Sequence, residues 1–365
     1  MRKVIVLVTN DLSHDQRVAK TCAWFMERGD EVTLVGFIKK NSQPLSSPYS
    51  SYRFSNPFQR GVFFYAWVQL RLFFFLIQRQ ADVVWCNDLD TLLPAAWLKR
   101  FKRYQLIYDA HECFTESVGL VNARNKRRIW LKIEQYCLPR VDHCITVSQG
   151  IQSYYQNRYP QRFHVMRNLP DLDVVPAEMS KPESWKRQKI LFYHGVFNPH
   201  RGLDELMEAM TLMNNVRLIL VGYGEHEVVL KDKVNTLGIG DKVHFMGAMS
   251  YPNILGLLRH VDLGIALEKP IGESFKWSLP NKIFDYARMG VPFLTLGNPE
   301  VKKIMDVYSM GWVVDSLEMQ SLASNIQQYL TETPSKQVAF QKAQRDFLVQ
   351  NNAKLEWQTL GAIIG

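Results

Sequence analysis

The segment Ser278-Leu-Pro-Asn-Lys-Ile-Phe-Asp-Tyr-Ala-Arg-Met-Gly-Val-Pro292 predicts a helix that leads directly into a buried strand. Pro280 suits the first turn of a helix, and Gly290 suits the residue that ends one. The run from Pro292 to Leu296 is short and largely apolar, which is typical of a strand inside a parallel sheet. A helix followed at once by such a strand is the repeating unit of a sheet covered by helices.

The same alternation of strand and helix runs through the rest of the chain in two blocks. In the first block the predicted strands are Lys3–Val8, Glu31–Gly36, Asp82–Cys86, Gln105–Tyr108 and His143–Val147. In the second block they are Ile190–His194, Arg217–Val221, Lys242–Phe245, Leu263–Leu267, Pro292–Leu296 and Gly311–Val314. Two such blocks predict an α/β fold with two Rossmann-like parallel-sheet domains that face a central cleft.

Domain boundaries follow from the places where this alternation stops. Residues 1–170 are the predicted N-terminal domain and residues 189–338 the C-terminal domain. Residues 171–188 between them hold prolines among Asp, Glu, Ser and Lys, as an interdomain linker does. Residues 339–365 predict a C-terminal helix that packs back on the N-terminal domain. The side chains expected to be buried along it are Phe340, Phe347, Leu355 and Trp357.

The composition narrows the class of protein. The 365 residues carry a formal net charge of +9 and include five cysteines, none of them in a C-x-x-C pair. An odd number of such cysteines argues against a disulfide framework or a zinc site and suits a reducing cytoplasm. The positive charge favours anionic partners, which include nucleotides, nucleic acids, phosphorylated substrates and acidic lipid surfaces.

One apolar segment, from Gly61 to Ile77, needs a separate interpretation. It is shorter than the roughly 20 apolar residues of a membrane-spanning helix, and Gln69 and Arg71 interrupt it. A strand-like run, Asp82–Cys86, follows almost at once, and we expect it to belong to the same sheet as the first strand. We therefore expect a helix that packs on the sheet, with contact to a lipid surface as the alternative.

Two glycine-containing loops of the second block have features that favour an anion. Gly195 allows a close backbone approach, and Arg201 brings a permanent charge to the start of the next helix. Gly222 and Gly224 form a second glycine turn after a strand, but the third glycine of a dinucleotide fingerprint is missing. The missing glycine argues against a dehydrogenase. An ordinary strand-to-helix loop with a solvated arginine explains the first loop equally well.

The helix quoted at the outset collects polar residues at its start. Asn281 and Lys282 place donors where the helix dipole already favours an anion. Asp285 lies one turn further along the same face, where a carboxylate can accept hydrogen bonds from ribose hydroxyls. The alternative is a solvated amphipathic helix with a lysine at its start.

Taken together, the motifs resemble those of the family 4 retaining glycosyltransferases of the GT-B fold, in their bacterial form. In the second half the matching pieces are YHG…HRGL, LILVGYGE, VHFMGAMSYPNILGLLRHVDLGIAL and LPNKIFDYARMGVPFL. In the first half they are NDLSHDQRVAK, ADVVWCNDLDTLLPAA, YDAHE, ITVSQGI and RNLPD. Each motif is weak alone, but the ordered set covers nearly the whole chain.

The resemblance implies a role for each matching position. The implied donor-binding residues are Gly195, Arg201, Gly222, Gly224, Asn281, Lys282 and Asp285. Among them, Arg201 and Lys282 would contact the diphosphate and Asp285 the ribose. His111 would face the donor sugar, so that the implied catalytic residues are His111, Arg201 and Lys282. The loop after the first strand would face the acceptor through Asn10, Asp15 and Arg17.

The sequence also departs from the family pattern. Trp277 stands where the first acid of the E-x7-E motif is expected, and the second acid is shortened to Asp285. Glu273 lies nearby and is a candidate replacement. Val196 follows Gly195 where the family often has an arginine, so the phosphate contact of that arginine has no counterpart at this position.

The implied reaction transfers a sugar from a UDP- or GDP-sugar to a glycan or lipid-linked acceptor, with retention, in cell-surface polysaccharide synthesis. No cofactor or metal is expected: Asp88-Leu-Asp90 resembles a metal motif of another fold, but a helix N-cap at Asp90 explains it. The alternatives are a sugar-nucleotide epimerase and a non-catalytic partner subunit that binds nucleotide sugars.

The basic clusters bear on where the protein acts. Lys99–Arg103 and Arg124–Arg128 are rich in Lys and Arg, but no RNA- or DNA-binding module accompanies them. We expect no nucleic-acid partner. The clusters and the apolar segment instead predict a cytoplasmic enzyme bound peripherally to the anionic inner face of a membrane.

Overall fold

The computed structural model describes residues 1–10, 12, 15–38, 42, 47–58 and 61–365, apart from the side chains of residues 118 and 334. It divides into two compact units. The N-terminal unit comprises Met1–Arg167, Gly272–Ser274 and Thr359–Gly365, and the C-terminal unit comprises Asn168–Ile271 and Phe275–Gln358. Each unit contains one parallel sheet with its own helices, which confirms the predicted α/β class.

The N-terminal unit is built on seven parallel strands. They are β1 (Lys3–Leu7), β2 (Glu31–Ile38), β3 (Ser50–Ser55), β4 (Val83–Asn87), β5 (Gln105–Ala110), β6 (His143–Thr146) and β7 (Phe163–Val165). Their order in the sheet is β3-β2-β1-β4-β5-β6-β7. The helices are α1 (Gln16–Glu27), α2 (Val62–Ile77), α3 (Leu89–Leu98), α4 (Val118–Val121), α5 (Arg124–Cys137) and α6 (Gln149–Gln156).

All five strands predicted for this half are present, but the edge strands β3 and β7 were missed. The sequence of β3, SSYRFS, is largely exposed, and β7 is only three residues long. An edge strand is paired on one side only, so it lacks the continuous apolar run by which central strands are recognised.

The apolar segment from Gly61 to Ile77 forms α2, as predicted. The buried side chains of this helix are Val68, Leu72, Phe75 and Leu76. In the part of the chain that the structure describes, no helix combines the length and the apolar character that a membrane crossing requires.

The C-terminal unit contains six parallel strands. They are β8 (Lys189–His194), β9 (Val216–Val221), β10 (Val243–Gly247), β11 (Leu263–Ala266), β12 (Phe293–Leu296) and β13 (Trp312–Val314), in the order β10-β9-β8-β11-β12-β13. Their helices are α7 (Leu203–Met210), α8 (Glu227–Thr236), α9 (Tyr251–Leu258), α10 (Gly272–Lys276), α11 (Asn281–Arg288), α12 (Pro299–Val307) and α13 (Met319–Leu330). Of α10, the first three residues belong to the N-terminal unit.

Both faces of this second sheet are buried. Along β8, Leu191 and Tyr193 belong to one apolar cluster, whereas Ile190 and Phe192 belong to the cluster on the opposite face. Successive side chains of a strand point to opposite faces, so a strand covered by helices on both sides reads as a continuous apolar run. This property made the central strands recognisable in the sequence.

The tail differs from the single helix that was predicted. It forms two helices, α14 (Pro334–Gln350) and α15 (Ala353–Ile364), because the Asn351-Asn352 pair separates them. The Asn352 side-chain oxygen accepts from the Leu355 backbone N–H at 3.2 Å, which caps the second helix.

The break changes which side chains of the tail are covered. Phe340 and Phe347 are buried, as predicted, but the prediction for Leu355 is wrong, because this side chain is exposed in the helix that follows the break. Trp357 is half-buried. The last residues, Thr359–Gly365, belong to the N-terminal unit, where Arg2 Nη1 donates to the Gly365 carbonyl at 2.8 Å.

Candidate functional site

Two residues of the C-terminal unit that were predicted to bind phosphate, Lys282 and Arg201, contact one carboxylate. Glu268 follows β11 and is almost completely buried. Its Oε1 accepts a hydrogen bond from Lys282 Nζ, at the start of α11. Arg201 Nη1, just before α7, lies 3.5 Å from the same oxygen. The folded chain thus brings Arg201 and Lys282 together, and their contact with a diphosphate stays a prediction.

The charges of this cluster are strongly coupled. Burial alone would raise the pKa of the Glu268 carboxyl, but the charges of Lys282 and Arg201 outweigh it and lower that pKa. Lys282 is buried, and its Nζ lies 4.5 Å from the centre of the Tyr193 ring. The Arg201 guanidinium is partly exposed and lies 5.1 Å from the Phe275 ring centre. Two cations therefore share a single negative charge, and the cluster keeps a positive excess that suits an anionic ligand.

The glycines of the two loops allow those loops to pack closely. A side chain on Gly222 would approach the Gly195 carbonyl oxygen to 1.9 Å, and one on Gly224 would approach the Phe197 carbonyl oxygen to 2.2 Å. Gly195 and Gly222 also adopt positive φ values of 129° and 142°. These residues thus have a packing role whether or not a ligand contacts them, and their contact with a donor stays a prediction.

Asp285 of α11 is buried and engaged by two neighbours. Its Oδ1 accepts from the Tyr251 hydroxyl at 2.5 Å, and its Oδ2 lies 3.7 Å from His194 Nε2. Burial, together with the charge of Lys282, lowers the pKa of His194 to about 3, so this imidazole is neutral at physiological pH. The carboxylate is therefore oriented before any ribose could reach it.

The remaining predicted residues of this region are divided between the units. Asn281 is exposed at the first position of α11. Glu273, the candidate replacement for the missing acid, belongs to the N-terminal unit, where the neighbouring Ser274 hydroxyl donates to Glu112 at 3.0 Å. Asp285 belongs to the C-terminal unit, so Glu273 and Asp285 do not lie in the same unit.

In the N-terminal unit, His111 lies between two aspartates at the carboxyl ends of neighbouring strands. His111 Nδ1 is 3.4 Å from Asp88 Oδ2, and its Nε2 is 3.4 Å from Asp109 Oδ2. The His111 backbone N–H also donates to Asp88 Oδ1 at 3.0 Å. Burial would lower the pKa of His111, but the two carboxylates outweigh it and raise that pKa to about 9. The side chain is accordingly an imidazolium at neutral pH.

Asp88 is held in an unusual backbone conformation. Its φ is 60°, which is uncommon for a residue with a side chain, and its backbone N–H donates to the Asp109 carbonyl at 2.9 Å. Strain of this kind is concentrated at functional sites. Asp88 also occupies the N-cap position of α3, which was predicted for Asp90.

Arg17 was predicted to face the acceptor, but its charged group is buried. Nε and Nη2 donate to the two carboxylate oxygens of Asp109 at 2.8 and 2.7 Å. Nη1 donates to the Met166 carbonyl at 2.9 Å. With these three bonds formed, the guanidinium positions Asp109 rather than presenting a donor at the surface.

The other acceptor-side residues lie at the start of α1. Asp15 is its N-cap and accepts from the Val18 backbone N–H at 3.1 Å, whereas Asn10 is exposed. The residues Asp11, Ser13 and His14 of the same predicted loop lie outside the described residues. A contact between this loop and an acceptor stays a prediction.

Asp88 and Asp90 also bear on the metal question. The Asp90 Oδ2 accepts from the Thr9 hydroxyl at 2.6 Å. Burial, with the charge of Asp88, raises the pKa of Asp90 to about 7. Within the described residues, His, Cys, Asp and Glu side chains are nowhere gathered in a group of three or more that could hold a metal ion.

Reasoning from the sequence missed four residues that organise these clusters. They are Glu268, Tyr251, His194 and Asp88, the last of which is a partner of His111. A buried lysine needs a carboxylate partner, but the sequence analysis placed Lys282 only as a donor at the start of the helix and did not predict its burial. No local pattern identifies Glu268, because its partner lies fourteen residues away on another element.

Two family models match consecutive parts of this chain. The family model "Glycosyltransferase Family 4" matches residues 16–174, and the model "Glycosyl transferases group 1" matches residues 175–347. A curated relative, chitobiosyldiphosphodolichol beta-mannosyltransferase of Debaryomyces hansenii, is 25% identical over 304 residues. The alignment covers 73% of this chain and 63% of that relative's length.

Two solved structures are similar along their whole length. One is sucrose-phosphate synthase from Thermosynechococcus elongatus, with a TM-score of 0.78, 15% identity, and coverage of 100% of this chain and 98% of that one. The other is the Anabaena protein HepE in complex with UDP and glucose, with a TM-score of 0.75, 16% identity, and coverage of 100% and 99%. At such identities the likeness shows a common fold.

Proposed function

We propose that this chain, which belongs to the family 4 glycosyltransferases and has their GT-B fold, transfers a sugar from a nucleoside-diphosphate sugar to an acceptor hydroxyl. The observation that carries the proposal is the cluster of Lys282 and Arg201 around the buried Glu268. Both cations lie at helix starts, where the helix dipole adds to their attraction for phosphate. Asp285, in the same helix as Lys282, is the proposed ribose ligand.

In this proposal the main chemical task falls on the leaving group. When the bond between the anomeric carbon and the phosphate oxygen breaks, the electron pair goes to the diphosphate. Lys282 and Arg201 stabilise the negative charge that develops there, a task for which fixed cations are effective and which requires no metal. The acceptor oxygen forms the new bond at the anomeric carbon, and a diphosphate oxygen takes its proton. As the family resemblance implies, the donor's anomeric configuration is retained.

In this proposal His111 places a positive charge beside the donor sugar. Since its pKa is raised to about 9, it does not serve as a base at neutral pH. An imidazolium held between Asp88 and Asp109 instead supplies a fixed positive charge. Its loss should therefore affect turnover more than the binding of free nucleotide.

A UDP- or GDP-sugar is the proposed donor, and a lipid-linked glycan in cell-surface polysaccharide synthesis is the proposed acceptor. The similar HepE structure contains UDP and glucose. The fungal relative is named for a lipid-linked sugar, chitobiosyldiphosphodolichol. With an acceptor of this kind, the proposed site of action is the cytoplasmic face of a membrane, to which the enzyme would bind peripherally.

The first experiment is a thermal-shift panel of UDP-, GDP- and ADP-sugars, because a ligand that binds the native state raises its melting temperature. Calorimetry of the preferred nucleoside diphosphate then follows with Lys282→Ala and Arg201→Ala. Each change should weaken binding by about 1.5–3 kcal/mol, the range for charge-assisted hydrogen bonds. The exposed Lys302 is the matched control, and Lys302→Ala should bind as the wild type does. Unchanged affinity in both site variants would refute the diphosphate assignment.

A second measurement separates the activities. Incubation of the preferred donor with membrane extract should release nucleoside diphosphate and yield a glycosylated product, even in the presence of a chelator. Conversion of the donor into an epimer would favour an epimerase, and binding without any turnover would favour a non-catalytic subunit. Proton NMR of the product's anomeric signal tests retention directly.

A further inference from the structure

The N-terminal unit exposes a row of large apolar side chains on α2, at the end of α3 and just beyond α3. These residues, which we call the aromatic face, are Phe63, Leu70, Phe74, Ile77, Trp97 and Phe101, and between 40% and 73% of each is exposed. The four on α2 recur at spacings of three, four and seven, so they share one side of the helix, opposite the buried Val68 and Leu72. Exposed apolar residues are common singly, but a contiguous patch marks an interaction surface.

Ring contacts show that the part of the aromatic face on α3 is continuous with α2. The ring centres of Phe73 and Phe74 are 5.6 Å apart, and those of Phe73 and Trp97 are 5.3 Å apart. Trp97 in turn lies 5.3 Å from Phe101. The aromatic rings therefore form one surface that crosses from one helix to the next.

The two segments that carry the aromatic face are basic. The segments 62–80 and 97–103 contain six Lys and Arg residues and no Asp or Glu, and Arg71, Arg100 and Arg103 are exposed. Two other cations of the cluster Lys99–Arg103 have structural roles. Lys99 pairs with Asp142, and Lys102 Nζ donates to carbonyl oxygens at the end of α2. The Lys102 bonds join the end of α2 to the segment after α3.

We infer that the aromatic face is the surface through which this chain docks on an anionic lipid bilayer. Aromatic side chains enter the interfacial zone of a bilayer, and arginines beside them attract acidic headgroups. A second copy of the chain fits less well, because a symmetric contact would bring Arg100 and Arg103 of both copies together. The inference rests on the proposed action on a lipid-linked acceptor for its biological use, but the docking can be measured without it.

The test is co-sedimentation of the full chain with phosphatidylcholine vesicles that contain or lack phosphatidylglycerol. The wild type should bind the anionic vesicles, and binding should weaken as salt is added. The triple variant Phe63→Ala/Phe74→Ala/Phe101→Ala should bind at least tenfold more weakly. Arg100→Gln/Arg103→Gln should also bind more weakly, and its residual binding should depend less on salt.

The control is Val228→Ala/Val307→Ala/Val338→Ala, which shortens three comparably exposed apolar side chains elsewhere in the chain. It should bind vesicles as the wild type does, and all variants should keep the wild-type melting temperature. Vesicle binding that survives the aromatic triple variant, or a wild type that stays in the supernatant at low salt, would overturn the inference. Concentration-dependent dimerisation that the triple variant abolishes, without vesicle binding, would assign the face to a second copy instead.

The result is separable from the proposed function. Vesicle binding without sugar transfer would leave the docking surface intact and refute the enzyme. Transfer to an acceptor in detergent without vesicle binding would support the enzyme and refute the docking surface.

Discussion

Arg17 and Asp109 form a fully buried ion pair in which two guanidinium nitrogens donate to the two carboxylate oxygens at 2.7 and 2.8 Å. Removing Arg17 takes the bidentate counterion away from a carboxylate that has no access to water, and leaves it the longer 3.4 Å contact to His111 Nε2. We expect Arg17→Ala to destabilise the protein by about 3–5 kcal/mol, the usual cost of breaking a buried pair. Differential scanning calorimetry should show a lowered melting transition.

Arg2 and Asp30 offer the matched control in the same unit. Their pair is partly exposed, so Arg2→Ala should cost less than about 1 kcal/mol. Replacing both members of the buried pair, as in Arg17→Met/Asp109→Leu, should be less harmful than Arg17→Ala, because no unpaired charge remains. Equal melting temperatures for Arg17→Ala and Arg2→Ala would show that the buried pair has no special role.

The second prediction concerns the charge on His111. Asp88, Asp109 and Arg17 are the charged groups that set its pKa, and the two carboxylates raise it to about 9 from an ordinary 6.5. A raised folded-state pKa adds stability that is complete below about pH 6.5 and is lost as the pH rises through about 9. An NMR titration of the imidazole should therefore show His111 protonated at pH 7.

Asp88→Asn removes one of the two carboxylates and should lower the pKa of His111. If the imidazolium serves the reaction, the alkaline limb of the pH–turnover profile should move towards neutral pH in this variant. Affinity for free nucleoside diphosphate should not change. An imidazole that titrates near pH 6.5 in the wild type would contradict the assignment of a fixed cation.

The central sheets and the cations of the proposed donor site could be predicted from the sequence. The central strands carry continuous apolar runs because both faces are covered, and Lys282 and Arg201 stand at recognisable helix starts. The edge strand β3 has no such run, and the break at Asn351-Asn352 depends on side-chain capping that apolar periodicity does not encode.

The partners of the predicted site residues could not be found in the same way. Glu268 meets Arg201 and Lys282 because β11 lies beside β8 in the sheet and because α11 packs against β11. Arginine is usually a surface residue, yet the Arg17 guanidinium is buried against β5. Its partner Asp109 lies more than ninety positions away in the sequence. Ion pairs between distant elements are properties of the packed fold, and a single sequence contains no local signal for them.

Glu268→Gln should change stability and nucleotide affinity in opposite directions. Glutamine keeps the shape of the side chain and can accept from Lys282, but it removes the negative charge that the two cations share. The ligand-free protein should melt at a lower temperature, because Lys282 is then buried without a counterion. Affinity for the nucleoside diphosphate should rise about tenfold, an effect of about 1.4 kcal/mol, because one repulsive charge near the phosphates is gone.

Glu205→Gln is the control for this prediction. Glu205 pairs with Lys269 in the same unit, but its side chain is more exposed than that of Glu268. Calorimetry should find wild-type affinity for the diphosphate in this variant. A Glu268→Gln protein that binds more weakly than the wild type would instead show that the carboxylate is needed to hold the cations in place.

The last prediction separates the roles of Asp285 and Tyr251 in ribose binding. The Tyr251 hydroxyl donates to Asp285 Oδ1 at 2.5 Å, and Asp285 Oδ2 lies 3.7 Å from His194 Nε2. The wild type should bind UDP more tightly than 2′,3′-dideoxy-UDP by about 1.5–3 kcal/mol, the range for a hydrogen bond to a charged group. Asp285→Asn should lose most of this difference, because an amide is a weaker acceptor than a carboxylate. Tyr251→Phe should keep the difference while weakening both ligands equally, since it loosens the carboxylate without removing it. Calorimetry of the two nucleotides with the three proteins decides the matter: an Asp285→Asn protein that still prefers UDP by the full margin would remove Asp285 from the ribose site.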